Sequence, residues 1–196
     1  MTLIRPAFAP VLLAAGLACL RSSPPVVFHT LEPIPAAAAD PAPAGPALAV
    51  EVLPVRLPEL LRRPQLVEAR GPGRLGLLED HRWGNPLDQD MRRVLVADLA
   101  LLLRSEAVVP SPYGDRVGAA YRVEVTVESC QAQPGAGLAL RASWMLTRPG
   151  VERAVAWRRS EFRVPLGPGP DALAAAHSAA LAELARELAA ELLRRP

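Results

Sequence analysis

The strict two-residue rhythm between Tyr121 and Leu146 constrains the fold of this chain more than any other feature. Tyr121, Val123, Val125 and Val127 fall on one side of an extended chain, and Arg122, Glu124, Thr126 and Glu128 fall on the other. One dry and one wet face is the pattern of a half-buried antiparallel strand. Gly135 to Gly137 marks a turn, after which Leu138, Leu140, Ala142, Trp144 and Leu146 resume the rhythm. Pro149-Gly150 turns the chain again, and Val155, Trp157, Phe162 and Val164 predict a third strand. It is less regular because Arg158, Arg159 and Ser160 interrupt it. The three strands form a meander.

A sheet with one apolar face needs a cover, and two stretches supply it. Leu87, Met91, Val94, Leu95, Leu99 and Leu102 recur at three- and four-residue spacing, which predicts a helix with one apolar stripe. Asn85 can cap it, Pro86 suits its first position, and Asp88 and Asp90 suit the positive end of its dipole. Asp171 can cap a last helix whose apolar face is Leu173, His177, Leu181, Leu184, Leu188 and Leu192, with Glu183, Glu187 and Glu191 as its wet face. Upstream, Ala47 to Val55 reads as a strand that Pro54 ends or places at a sheet edge. Gln65 to Ala69 and Arg74 to Glu79 flank Gly71-Pro72-Gly73 as a hairpin. The fold class is α+β, a mainly antiparallel sheet with two helices packed on one face. A chain of 196 residues has room for one such core.

The N-terminus is of another kind. Met1 to Ala18 carries one charge, Arg5, then an apolar run from Ala7 to Ala18 that ends in small residues, the order of a secretory signal. The run is shorter than the roughly 20 apolar residues a membrane-spanning helix needs, and Pro10 interrupts it. Cys19 follows Gly16-Leu17-Ala18 directly. A bacterial lipoprotein signal sets a small residue before the Cys that is lipidated, and Ala18 satisfies this, although Gly16 stands where Leu is usual. The other reading of Cys19 is an ordinary small residue of a cleaved signal. Residues 19–46 are rich in Pro and Ala and read as a tether. Val26 to Leu31 is one short candidate strand within it, and 47–196 is the domain.

Composition excludes several function classes. The formal charge is +2 and all 22 basic residues are Arg, spread among acids, so no basic stripe marks a nucleic-acid surface. Cys19 and Cys130 support no disulfide framework. His29, His81 and His177 have no metal-ligand spacing, and no cofactor is expected. His177 lies on a helix's apolar stripe, where it reads as a core residue, and Cys130 reads as a small buried one. There is no Gly-x-Ser-x-Gly nucleophile motif, and catalysis is not expected. Two segments stand out instead, 57–67 (Leu-Pro-Glu-Leu-Leu-Arg-Arg-Pro-Gln-Leu-Val) and 80–87 (Asp-His-Arg-Trp-Gly-Asn-Pro-Leu). Their mixture of Arg, Trp and Pro suits contacts, which makes Arg62, Pro64, Gln65, Arg82 and Trp83 candidate partner-binding residues. The plainer reading is that Trp83 plugs the end of the core and the prolines stop strands.

These segments, with Val94-Leu95, Leu99 and Leu102-Leu103, and with Ser22-Ser23-Pro24-Pro25 and Phe28-His29-Thr30-Leu31 upstream, resemble the PqiC-type (YmbA-like) auxiliary lipoproteins of ABC-type transport. The resemblance covers nearly the whole chain. His29 stands where the family pattern has Tyr. The resemblance implies a non-catalytic lipoprotein held at Cys19 in the inner leaflet of the outer membrane and facing the periplasm. Its implied partners are an MCE-domain tunnel protein (PqiB-like) and an inner-membrane component, with several copies forming a homo-oligomeric ring around the tunnel's end. The work implied is lipid transport between membranes and membrane integrity. The alternative, from a chain that is 51% apolar but only 4% aromatic and so expected to have an aliphatic interior, is a soluble periplasmic module binding a small apolar ligand or lipid between helices and sheet.

Overall fold

A computed structural model describes residues 24–36, 48–71, 73–133, 136–151 and 153–195. The signal-like segment 1–18 and Cys19 lie outside the described residues. In order, the elements are β1 (Val27–His29), β2 (Val50–Val52), β3 (Gln65–Gly71), β4 (Arg74–Trp83), α1 (Leu87–Leu103), β5 (Val108–Pro110), β6 (Tyr121–Gln133), β7 (Gly137–Thr147), β8 (Ala156–Val164) and α2 (Pro170–Leu193).

The meander is the centre of the molecule. β6 pairs antiparallel with β7 from Arg122↔Thr147 to Gln133↔Gly137, and β7 with β8 from Leu138↔Val164 to Leu146↔Ala156. Tyr121, Val123, Val125 and Val127 are buried, as are Leu138, Leu140, Ala142, Trp144 and Leu146. β6 runs beyond Ser129 because a bulge between Val127 and Ser129 shifts its phase. Past it the buried residues are Cys130 and Ala132, even-numbered where those before it were odd.

The sheets are mixed rather than purely antiparallel. A five-stranded sheet has the order β5-β2-β6-β7-β8, and β2 runs parallel to both of its neighbours. The connection from β2 to β5 contains the β3–β4 hairpin and α1, long enough to return the chain in the same direction. A three-stranded sheet, β1-β4-β3, joins the expected hairpin to the short N-terminal strand, with β1 parallel to β4. Its strand β3 packs on β6.

The helices pack on each other, α2 over β7 and β8 and α1 over β2 and β5. The stripes buried are those of the expected apolar faces, with Leu103 rather than Leu102 closing the first. The caps differ. Pro86, not Asn85, is the N-cap of α1, and its carbonyl accepts the N–H groups of Gln89 and Asp90, each at 3.0 Å. Gly169 precedes α2 with φ 88°, a conformation that suits glycine, and Pro170 takes the first position, so Asp171 falls inside the first turn.

Three side chains depart from the expected faces. Trp157 is 58% exposed, because β8 turns its even-numbered residues, Ala156 to Val164, toward α2. Glu187 accepts hydrogen bonds from Trp144 Nε1 at 3.1 Å and Ser160 Oγ at 2.6 Å, and so belongs to the α2–sheet contact rather than to a wet face. Glu191 is 5% exposed, enclosed by Arg158, Arg194 and Arg195.

Residues 24–36 are part of the body, so the tether expected over 19–46 does not extend through them. Leu31 and Ile34 are buried. Two carboxylates of α1 hold their backbone: Leu31 N–H donates to Asp90 Oδ2 at 2.7 Å and Ile34 N–H to Asp98 Oδ1 at 2.7 Å. Arg93 closes the first of these, donating from Nε to Asp90 Oδ1 at 2.8 Å and from Nη2 to Leu31 O at 2.6 Å.

Candidate functional site

The two segments singled out in the sequence meet. Pro64 O accepts the N–H of Trp83 at 2.7 Å, and Gln65 lies opposite Arg82 where β3 begins and β4 ends. β1 adds a third strand, placing Phe28 beside Arg82 and His29 beside Trp83, and Gly84 N–H donates to His29 O at 2.7 Å. Cross-strand partners share a face, so Phe28, Arg82 and Gln65 form an outer row. His29 and Trp83 form an inner one.

The five candidate residues take different positions. Trp83 is buried, edge-on to His177 with ring centroids 5.2 Å apart, so it plugs the core and offers a partner no free ring face. Pro64 is exposed and Gln65 half-buried, its amide donating to Glu79 Oε2 at 3.1 Å. Arg82 is half-buried, and its Nε is enclosed without a hydrogen-bond partner among the described residues. Arg62 is exposed and set apart from this row, 3.6 Å from Glu59. Cys19 lies outside the described residues.

The inner row carries polar chemistry that the sequence spacing did not reveal. His29 Nε2 lies 2.9 Å from His81 Nδ1, so one ring donates and the other accepts, and His29 Nδ1 lies 3.6 Å from Asp171 Oδ1. Burial lowers the pKa of His29, His81 lowers it further, and Asp171 works against both. The ring is therefore held neutral near pH 7. A paired acid and imidazole can relay a proton, yet the hydroxyls beside it are engaged: Thr30 Oγ1 donates to Glu32 Oε1 at 3.4 Å, and Ser178 has two partners. Its Oγ accepts Glu32 N–H at 3.0 Å and donates to Ala174 O at 3.2 Å. The Cys130 thiol is pushed up to about 12 by complete burial and is no nucleophile in the folded protein. Among the described residues, no three His, Cys, Asp or Glu side chains cluster as metal ligands.

Beside the cluster, a groove of about 560 Å³ runs between residues 29–35 and α2, with Ile34, Pro35, Ala175 and Ala179 among its walls. The space between helices and sheet is filled by Leu99, Leu181, Leu184, Leu188 and Trp144. No described helix is long and apolar enough to cross a membrane. Asp98 lies between Leu95 and Leu99 on the buried side of α1, a place where an acid needs a partner in the body.

The structure is a packed α+β body in which the ends of β3, β4 and β1 meet beside the start of α2. The chain belongs to the family of ABC-type transport auxiliary lipoprotein components, whose model matches residues 29–189. This is the family its motifs resemble, and it is not a known enzyme family. No curated protein matches the chain. Protein XCC0632 from Xanthomonas campestris has a similar crystal structure, with 18% identity, a TM-score of 0.67, and coverage of 84% of this chain and 93% of that one. A second crystal structure, of an uncharacterized protein, matches at 20% identity with a TM-score of 0.67, covering 86% and 99%. At these identities the likeness establishes the shared fold.

Proposed function

We propose that this chain is a non-catalytic outer-membrane lipoprotein, acylated at Cys19 and facing the periplasm. In this reading it is the auxiliary subunit of an MCE-type intermembrane lipid-transport system that supports membrane integrity. It docks the end of an MCE-domain tunnel protein, several copies forming a ring, while an inner-membrane component supplies the other end. The observation that carries the reading is the placing of Cys19 after a small residue at the end of an apolar export signal, in a chain whose family is one of transport auxiliary lipoproteins. The residue after Cys19 is Leu20, not the Asp that favours retention at the inner membrane.

The docking surface is the start of β3 with its preceding turn, where Arg62, Pro64 and Gln65 are accessible and Arg82 lies next to Gln65. Trp83 supports it from behind. Cys19→Ala is expected to release the protein from membranes into the soluble periplasm and to abolish incorporation of labelled palmitate. Membrane retention of that variant would count against the anchor. An Arg62→Ala/Pro64→Ala double variant is expected to stay on the membrane and to lose co-purification of the MCE-domain partner.

A further inference from the structure

Strand β1 lies at the edge of its sheet and presents a run of exposed apolar side chains. Val26 is 40%, Val27 43% and Phe28 65% exposed. Val26, just before the strand, and Phe28 fall on the face that carries Arg82, and Val27 falls on the opposite face, so apolar side chains flank both sides of an open strand edge that natural edges usually charge or cover. The position of this patch in the chain says what covers it. Only six residues, Leu20 to Pro25, separate Cys19 from Val26. Seven Cα steps reach at most about 25 Å.

We propose that Val26, Val27 and Phe28 are a membrane-seating surface, which lies in the headgroup interface of the leaflet that holds the Cys19 acyl chains. This rests on the reading of Cys19 as the anchor. An anchor so close to the body cannot act as a long leash. It brings the edge of β1 to the lipid surface, where the apolar side chains leave water and add to the hold of the acyl chains. Glu79 and Asp80 are exposed on neighbouring β4 and Arg82 lies beside Phe28, so the seat carries charges of both signs and suits a zwitterionic surface. β3 lies two strands away from β1, about 10 Å at the usual spacing, which keeps Arg62, Pro64 and Gln65 clear of the lipid.

The test uses the full-length acylated protein in phosphatidylcholine vesicles with a nitroxide at Phe28→Cys and, separately, at Val151→Cys. Both positions are exposed, and Cys130 is buried and unreactive, so the label reports the introduced thiol. Val151 follows the turn after β7, toward the end of the molecule where the last turns of α2 meet Arg158, whereas α2 begins beside His29. Collision with oxygen at position 28 is expected to exceed collision with a water-soluble nickel chelate several-fold, with the order reversed at position 151. Water-like values at both positions in protein that sediments with the vesicles would overturn the seat and leave the anchor standing. Protein that fails to sediment would remove the anchor and the seat together. Low collision with both reagents at position 28, with spin–spin broadening, would assign the patch to a second copy and overturn the proposal.

Discussion

At the residue scale, two buried ionisable side chains give the protein opposite responses to pH. His177 is fully enclosed, with its Nδ1 at 2.8 Å from Leu173 O and its edge toward Trp83. Burial lowers its pKa, and the bond to the Leu173 carbonyl only partly offsets this. The unfolded chain therefore takes up a proton near pH 6.5 that the folded chain refuses. Stability is intact above that pH and falls as pH drops below it, and His29 acts in the same direction. His177→Leu is expected to flatten the loss of denaturant stability between about pH 7.5 and 5.5 that these unperturbed values define. Equal losses in both proteins would refute the assignment. Asp98 behaves the other way. Burial raises its pKa against the bond from Ile34 and the Arg186 charge, and its Oδ2 has no partner among the described residues. Its protonated form fits the fold, so its contribution is present in acid and lost as pH rises through the folded pKa. Asp98→Asn keeps an oxygen for Ile34 N–H and carries no charge. It is expected to be more stable than the parent at pH 7 and indistinguishable near pH 3, a difference that urea titrations at the two values resolve.

At the scale of elements, helix α1 holds the N-terminal segment as much as it covers the sheet. Asp90→Ala leaves a buried Leu31 N–H without an acceptor and takes away the partner of Arg93. Its expected cost is about 1–3 kcal/mol. In a chain of this size that lowers Tm by roughly 2–4 °C per kcal/mol, and limited proteolysis should then cut between residues 30 and 36 first. An unchanged Tm and cleavage pattern would show that β1 is held by its sheet alone. This staple also marks where sequence reading stopped. The β6–β7 pair was legible because each strand is dry on one side, and both helices because their stripes persist over several turns. The β3–β4 hairpin was legible from its Gly-Pro-Gly turn. What could not be read depends on partners distant in sequence. β5 is three residues with no rhythm to detect, and the bulge after Val127 is a register event between two strands. Glu191 looks wet on a helical wheel, and only the arrival of β8 with Arg158 encloses it. For the site, the local sequence brought Pro64, Gln65, Arg82 and Trp83 to notice, and β3–β4 pairing does bring them together. The burial of Trp83 and the His29–His81 contact needed β1, whose pairing to β4 spans more than fifty residues.

At the scale of the whole molecule, the proposed anchor makes its distance from the body the variable that matters. In that reading six residues lie between an acylated Cys19 and Val26, which limits the height of the body above its leaflet. If it docks a tunnel end, that height aligns the Arg62–Gln65 surface with a partner arriving from the other membrane. Inserting about 20 Gly and Ser residues between Cys19 and Pro24 adds a flexible coil of roughly 25 Å root-mean-square length without touching a single residue of the fold. The acyl chains are unaffected, so the inserted protein should fractionate with membranes as the parent does. The body, however, is released from its height, the effective concentration of the docking surface at the tunnel end falls, and β1 spends its time in water. The expected result is full membrane retention with loss of complementation in a strain lacking the protein, scored as detergent sensitivity. Full complementation by the inserted protein would mean that anchoring alone suffices and that the short spacing has no mechanical role. Rescue of an inserted protein by a second apolar segment placed beside Pro24 would instead tie the function to the seating of the body rather than to the length of the chain.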